Sequence, residues 1–240
     1  MRCLIDGDIV LYRAAFSAEK EGTADDARRT ADEIIAGIVG STRADKTSTY
    51  LTGSGNFRKQ LYPEYKANRV QPKPKYYDEV RRHLIDNQSA IDICGMEADD
   101  QLAIEQLSDE DQTVICSIDK DLLQISGLHY NFVKQEFKQV TALDGMLHFY
   151  RQLLMGDRVD NIPGLTGIGE VKANKIMNPA HQIRMSTSGL YKLVLSKYEE
   201  EFKEKGKEMM ELYGNLLWIV RELKEDGTPM MWTDYEASEL

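Results

Sequence analysis

The chain has 240 residues, 42% of them hydrophobic, and a formal net charge of −10. That length supplies one sizeable domain, or a domain with a smaller companion, and the composition suits a globular core. No apolar run nears the roughly 18 residues of a membrane span, Asp6 and Asp8 break the early run that a signal peptide would need, and the acidic balance argues against a passive nucleic-acid coat.

The first apolar run, Arg2-Cys3-Leu4-Ile5, ends at Asp6-Gly7-Asp8. It reads as a buried strand with acids at its C-terminal end, where sites collect in open parallel sheets. Helices are expected over 9–15 and 23–39, the second with Ala31, Ile34, Ile35 and Ile38 on one face. Residues 46–52 read as a strand rich in Thr, Tyr and Leu, closed by the turn Gly53-Ser54-Gly55-Asn56. The segment 62–75 carries Pro63, Pro72 and Pro74 and is expected to be irregular. A helix over 76–88, a short strand over 90–94, a helix over 98–107 and a central strand over 113–118 follow. Residues 129–133 make an outer strand. No hairpin signal separates the apolar runs, so the alternation predicts an α/β sheet. Beyond about residue 140 the pattern is helical, over 143–154, about 170–176 and 190–223, with a loop from Gly156 to Gly164. No polar linker divides the two parts, which are expected to form an α/β core over 1–140 and a helical region over 141–240. Cys3, Cys94 and Cys116 sit in apolar settings and are expected to be reduced core residues of a cytoplasmic protein.

Three stretches carry chemistry. The first is a set of acids: Asp6, Glu97, Asp99, Asp100, Asp119, Asp121, Asp157 and Asp160. Helix caps and surface turns explain Asp100 or Asp157 alone. They explain poorly why Asp6 and Asp119 both follow buried-looking strands. Crowded carboxylates raise one another's pKa, and a divalent cation relieves that repulsion. Oxygen ligands select magnesium or manganese over zinc, and two such ions about 3.5–4 Å apart clamp a phosphodiester.

The second stretch runs from Arg58 to Arg82, with eight basic residues against three acids. Arg58, Lys59, Lys66, Arg69, Arg81 and Arg82 are either solubilising charges or phosphate contacts. Tyr65 and Tyr76 or Tyr77 favour the second reading by offering faces on which a splayed base stacks. Lys66 is the candidate to stabilise charge on an attacked phosphoryl group. The third stretch, Gly164-Leu165-Thr166-Gly167-Ile168-Gly169, precedes a helix carrying Lys172. It is either a structural turn or a hairpin that offers backbone N–H groups to duplex backbone. It lacks the spacing of a Walker loop or of a dinucleotide fingerprint. The histidines show no ligand spacing, and Met209, Met210 and Trp218 read as packing.

In this order the blocks Asp6-Gly7-Asp8, Tyr65-Lys66-Ala67-Asn68-Arg69, Gly95-Met96-Glu97-Ala98-Asp99-Asp100 with Ser117 to Asp121, and Gly156 to Gly169 resemble the flap endonuclease and 5′-3′ exonuclease family. The resemblance is to the small free-standing enzymes of bacteriophages and the 5′-nuclease domain of bacterial DNA polymerase I. It implies a PIN-like, mostly parallel sheet flanked by helices, with a helical arch over 62–90 and a helix–three-turn–helix at about 150–176. It implies phosphodiester hydrolysis near 5′ ends and single-strand/duplex junctions of DNA, or of RNA annealed to DNA, by a monomer serving replication or repair. Glu97, Asp99 and Asp100 would hold one Mg2+ beside Asp6. Asp119, Asp121, Asp157 and Asp160 would hold a second, with Mn2+ able to substitute and K+ at the helix–three-turn–helix. Tyr65, Lys66 and Arg69 would line the base of the arch, and Gly164, Gly167, Gly169 and Lys172 the duplex-binding hairpin. The family's acid after the second strand is replaced by Gly53 or Ser54, which implies a first metal site weakened, or completed by water or Asp8. Two other readings compete: a junction-binding protein whose acids hold no catalytic metal, and a PIN-like ribonuclease. The duplex-anchoring hairpin argues against the ribonuclease.

Overall fold

A computed structural model of the chain describes residues 1–239, with side chains as far as Tyr235. The chain begins β1 (Arg2–Asp6), α1 (Gly7–Ser17), α2 (Ala24–Thr42), β2 (Lys46–Thr52), α3 (Arg58–Leu61), α4 (Tyr77–Gln88) and β3 (Ile91–Ile93). It continues with α5 (Ala98–Ser108), β4 (Thr113–Cys116), β5 (Gly127–Asn131), β6 (Glu136–Val140) and α6 (Ala142–Met155). It ends with β7 (Gly156–Asp157), β8 (Ile162–Pro163), α7 (Glu170–Gln182), α8 (Thr187–Phe202), α9 (Gly206–Leu217) and α10 (Trp232–Glu239). Two compact units result. One comprises Met1–Asn56, Gln71–Leu122 and Ser126–Val140; the other comprises Phe57–Val70, Leu123–Ile125 and the chain from Thr141 on.

The first unit is built on a six-stranded sheet in the order β3-β2-β1-β4-β5-β6, in which only β6 runs antiparallel to its neighbour. β1 lies at its centre because Cys3, Leu4 and Ile5 are apolar on both faces and fully buried. The chain leaves β1 to build β2 and β3 on one side and returns to build β4 and β5 on the other. The direction of winding therefore reverses at β1, and the crevice beyond the C-terminal ends of β1 and β4 is where such sheets bind ligands. α2 starts at a capping box between Thr23 and Asp26, worth about 1 kcal/mol. It buries Ala27, Ala31, Ile35 and Ile38 at helical spacing. α4 buries Tyr77, Val80 and Leu84 in the same core.

The second unit is an assembly of helices around Phe149, Tyr150, Tyr198, Trp218 and Trp232. Thr141 and Asp144 form the capping box that starts α6. Buried Gln124 donates to Gln152 Oε1 (2.7 Å) and the Leu217 carbonyl (2.8 Å), tying the segment Leu123–Ile125 to this unit. Trp232 packs its ring against Phe149, Tyr150 and Tyr191.

The mostly parallel, helix-flanked sheet matches the expected fold class. Several elements differ from expectation. β5 and β6 form a hairpin whose turn, Phe132 to Gln135, carries no Asn-Gly or Asp-Gly pair; Gln135 takes the left-handed conformation instead. Of the segment 62–90 expected to carry the arch, Tyr77–Gln88 is helical and packs in the first unit's core as α4, and the part between Leu61 and Tyr77 is irregular. The proline-bearing segment is irregular, as its composition requires. The Gly156–Gly164 loop contains the two-residue ladder of β7 and β8. The helix expected over 190–223 breaks at Lys203–Lys205 and stops at Leu217, and Trp218 is extended. Cys94 is exposed, whereas Cys3 and Cys116 are buried. No helix among the described residues is long and apolar enough to cross a membrane.

Gly214 explains how a tryptophan fits beside α9: a Cβ there would lie 2.0 Å from Trp232 Cε3. Gly214→Ala is expected to dislodge Trp232, cost about 3 kcal/mol, and shift the emission of a Trp218→Phe background to longer wavelength. Unchanged melting temperature and emission would refute this account of Gly214.

Candidate metal centre and its cationic loop

Asp6 ends β1 at the reversal point of the sheet and is 2% exposed. Its Oδ1 accepts the Ile9 N–H (3.1 Å), which caps α1, and its Oδ2 accepts the Ser117 hydroxyl (2.6 Å) just beyond β4. Ser117 Oγ in turn accepts the Asp119 N–H (2.9 Å), and Asp119 Oδ1 accepts the Asp121 N–H (2.9 Å). One chain of hydrogen bonds thus links Asp6, Ser117, Asp119 and Asp121 across the ends of two adjacent strands. Gly7 permits the close packing here, because a Cβ would sit 2.4 Å from the Tyr50 carbonyl oxygen.

Asp8 faces the end of β2, where both its oxygens accept the Thr52 N–H (3.1 and 3.3 Å). The Thr52 hydroxyl accepts the Ala98 N–H at the start of α5 (3.0 Å). Glu97 is the N-cap of that helix. Its carboxylate accepts from Asn56 Nδ2 (2.7 Å), and its own N–H donates to Asp100 Oδ2 (2.9 Å). Asp100 is fully buried and Asp99 half-buried beside it. Gly53 donates its N–H to the Ile93 carbonyl (2.8 Å), and a Cβ on it would approach that oxygen to 2.8 Å. A side chain at position 53 would therefore press on the backbone of Ile93, whereas Ser54 beside it is exposed.

The electrostatics follow from the packing. Burial raises the Asp6 pKa from 3.8 to about 7, helped by the Asp8 and Asp119 charges and opposed by the Ser117 and Ile9 hydrogen bonds. Asp8 is also raised, chiefly by burial and further by Glu97, while Thr52 and the Arg81 guanidinium pull it down. Asp6, Asp8, Asp119 and Glu97 therefore share one electrostatic neighbourhood within the first unit. Among the described residues no three His, Cys, Asp or Glu side chains close into a metal cage. The donor set nonetheless fits a hard divalent cation. It is all oxygen, and its buried acid meets neighbouring like charges that such an ion would offset.

The second unit carries the basic loop. Lys66 Nζ lies 3.4 Å from Asp160 Oδ2, Arg69 pairs with Asp160 Oδ1, and the Tyr65 hydroxyl reaches Asp160 Oδ2 at 3.1 Å. Asp157 Oδ1 accepts the Val159 N–H (2.7 Å), an Asx-type turn. In the glycine-rich hairpin, Gly164 lies against the backbone of Met155, where a Cβ would meet carbon at 2.0 Å. Gly167 has φ +70°, exposed Gly169 caps α7, and Lys172 is exposed on that helix. Glu201 accepts both the N–H and the hydroxyl of Thr166 (2.8 Å each), bracing the hairpin from α8.

Three expected nucleic-acid contacts are corrected. Tyr65 is 2% exposed and packs in the second unit's core, so its ring cannot stack a base. Arg58 is 3% exposed and donates to the Leu216 (3.0 Å) and Trp218 (2.6 Å) carbonyls, which makes it a structural donor. Arg81 is turned inward to the Thr52 carbonyl (3.1 Å) and Asp92 (2.6 Å), where it acts as counter-charge to Asp8. Tyr77 is likewise buried, while Lys59 and Arg82 remain exposed. Ser117, Thr52 and Asn56 were not among the sequence-predicted site residues, and Asp8 was expected there only as one way to complete the first metal site. Asp8 was visible in the Asp6-Gly7-Asp8 spacing, and Ser117 as a hydroxyl between a buried strand and an acid.

Asp6 takes up its proton more readily folded than unfolded. Its charge therefore destabilises the metal-free fold above pH 7, and the penalty fades as pH falls from about 7 towards 3.8. Asp6→Asn is expected to melt several degrees above the natural protein at pH 8 in chelator and to lose most of that advantage by pH 5. A pH-independent gap would contradict the assigned burial.

The family model described as 5′-3′ exonuclease, N-terminal resolvase-like domain, matches residues 1–150. A flap endonuclease Xni from Shewanella baltica is 28% identical over 92% of this chain and 89% of its own length. DNA polymerase I from Borreliella burgdorferi is 31% identical over 70% of this chain, which spans only 20% of that polymerase. T5 5′-exonuclease with bound divalent metal ions (zinc) shares the fold, with TM-score 0.67 and 19% identity over 90% of this chain and 88% of its own. With the family model covering well over half of its length, the chain belongs to the 5′-3′ exonuclease family defined by that N-terminal resolvase-like domain.

Proposed function

We propose that the chain is a divalent-metal-dependent 5′-nuclease that hydrolyses phosphodiesters at 5′ flaps and duplex 5′ ends of DNA, and in RNA annealed to DNA. The observation that carries the proposal is the buried Asp6, held by Ser117 and set among the charges of Asp8 and Asp119 at the reversal point of the sheet. A structural role alone does not account for a buried acid with acidic neighbours. Family membership supplies the reaction class.

In this reading the first unit's carboxylates Asp6, Asp8, Glu97, Asp99, Asp100, Asp119 and Asp121 hold Mg2+ or Mn2+, directly or through water. Such an ion would lower the pKa of a water so that it attacks phosphorus as hydroxide, and would offset charge on the leaving oxygen. Ser117 fixes the Asp6 carboxylate, Asn56 fixes Glu97, and the Arg81 guanidinium offsets part of the charge at Asp8. In the second unit Lys66 and Arg69 supply positive charge to substrate phosphates. The Gly164–Gly169 hairpin with Lys172 receives duplex backbone, with K+ as its ion, so recognition is of structure and not of sequence. The enzyme acts as a cytoplasmic monomer.

The test is a labelled duplex with a 5′ single-stranded flap, incubated with magnesium, with chelator, and with Asp119→Ala. Cuts near the junction that require both metal and Asp119 are expected. Tight binding without cleavage in magnesium and manganese would favour the junction binder, whose support is the absence of an acid at Gly53 and Ser54.

Two further outcomes follow from the same site. Lys66→Ala should lower turnover roughly 100-fold while changing duplex affinity little; equal losses would remove Lys66 from the chemistry. Ser54→Asp should tighten Mn2+ binding about tenfold, read by isothermal titration; unchanged affinity would separate position 54 from the metal centre.

A further inference from the structure

Within the second unit, the loop carrying Lys66 and Arg69 is stitched to the segment Arg158–Asn161 by reciprocal bonds. The Lys66 N–H donates to the Asp160 carbonyl (2.8 Å). Asn161 Nδ2 donates back to the Glu64 carbonyl (2.8 Å), and Asn68 Nδ2 donates to the Arg158 carbonyl (2.8 Å). Three main-chain carbonyls, two from one segment and one from the other, thus each receive a donor from the opposite segment. Lys66 and Asn161 both adopt the left-handed conformation, with φ 57° and 59°. For lysine that conformation is unfavourable and persists only where surrounding contacts enforce it. Asparagine tolerates it and brings an amide donor to the same place.

We infer that Asn161 and Asn68 are positioning residues for the nuclease reaction: their side-chain amides clasp the Glu64–Arg69 loop onto Arg158–Asn161 and so fix where the Lys66 and Arg69 cations stand. The ion pairs alone do not do this. Arg69 is half-exposed, and a partly solvated pair between flexible side chains is screened and adjustable. The backbone bond at Lys66 and the two amide bonds set the loop's path, and Asp160 then meets Lys66 and Arg69 at its two oxygens. A phosphate arriving at Lys66 competes with Asp160 for the cation. If the loop moved with the lysine, that competition would displace the charge from the reacting group. The clasp lets Lys66 exchange partners while its main chain stays in place. This inference rests on the role proposed above for Lys66.

The probe is Asn161→Gly, which keeps the left-handed backbone at no steric cost and removes the side chain with its amide; Asn68→Asp removes the second donor while keeping the shape and adds one negative charge. With saturating 5′-flap DNA in magnesium, each variant is expected to lower the single-turnover rate about tenfold with flap affinity within about twofold of the natural protein. In the Asn161→Gly/Lys66→Ala double variant the losses should not multiply, because both act through one group. Trypsin should also nick after Lys66 or Arg69 several-fold faster in either variant than in the natural protein, with no substrate present. Multiplying rate losses, or natural rates with natural trypsin resistance, would overturn the inference. If the natural protein cleaves no flap, the nuclease reading fails, and the clasp still stands or falls on the trypsin result. Should Asn161→Gly fail to fold, Asn68→Asp carries the same tests.

Discussion

A carboxylate removed from water at the end of the central strand is the constraint on which the first unit depends. Asp6 lies at the C-terminus of β1 with almost no exposed surface. An unpaired buried charge of this kind is costly, so the group must be hydrogen-bonded, protonated or matched by a cation. The fold provides the first through Ile9 and Ser117. Its acidic neighbours make the third the natural condition of the working protein. The topology explains why the acid is there at all. β1 is flanked by β2 and β4, so its C-terminal end opens where the chain has wound away in both directions. Thr52, Ser117 and Asp6 are the last or next residues of those three strands, and each contributes a polar atom to the same neighbourhood.

The same constraint clarifies the charge balance. A net charge of −10 is an odd background for a protein that handles phosphodiesters. Part of the acid content, however, is held where metal would offset it, and Arg81 is turned inward to serve Asp8. What reaches solvent in the basic stretch is correspondingly smaller than the sequence suggests. Arg58 is consumed by two carbonyls of its own unit, and Lys66 is half-buried against Asp160.

This is also where reading the sequence stopped short. The strands β1, β2 and β4 and the helices α1, α2 and α5 were legible because their apolar residues recur at the periods that sheets and helices impose. The acids at their ends were legible from position alone, since an Asp directly after a buried strand has few structural reasons to be there. The roles of Tyr65 and Arg58 were not legible. An aromatic or a guanidinium in a basic run has the same sequence signature whether it points to solvent or into a core. Only the burial of Tyr65 in the second unit's core, and the carbonyls at Leu216 and Trp218, decide between them. The β5–β6 hairpin escaped for a different reason: its turn places Gln135, not asparagine or glycine, in the left-handed region.

The irregular stretch 62–76 shows how a cation can be placed without a helix. A lysine on a helix inherits a fixed direction from the repeating backbone. Pro63, Pro72 and Pro74 deny this stretch that repeat. Lys66 must obtain its direction from tertiary bonds, and the structure supplies them at the backbone: one at its own N–H, with neighbours at Glu64 and Asn68. The unfavourable conformation at Lys66 is the cost of that arrangement, roughly 1–2 kcal/mol for a residue with a Cβ. Glycine would remove the strain but also the charge. A lysine at such a position, on a loop whose path is fixed by side-chain amides, has its ammonium group set against Asp160 by the main chain rather than by a helix.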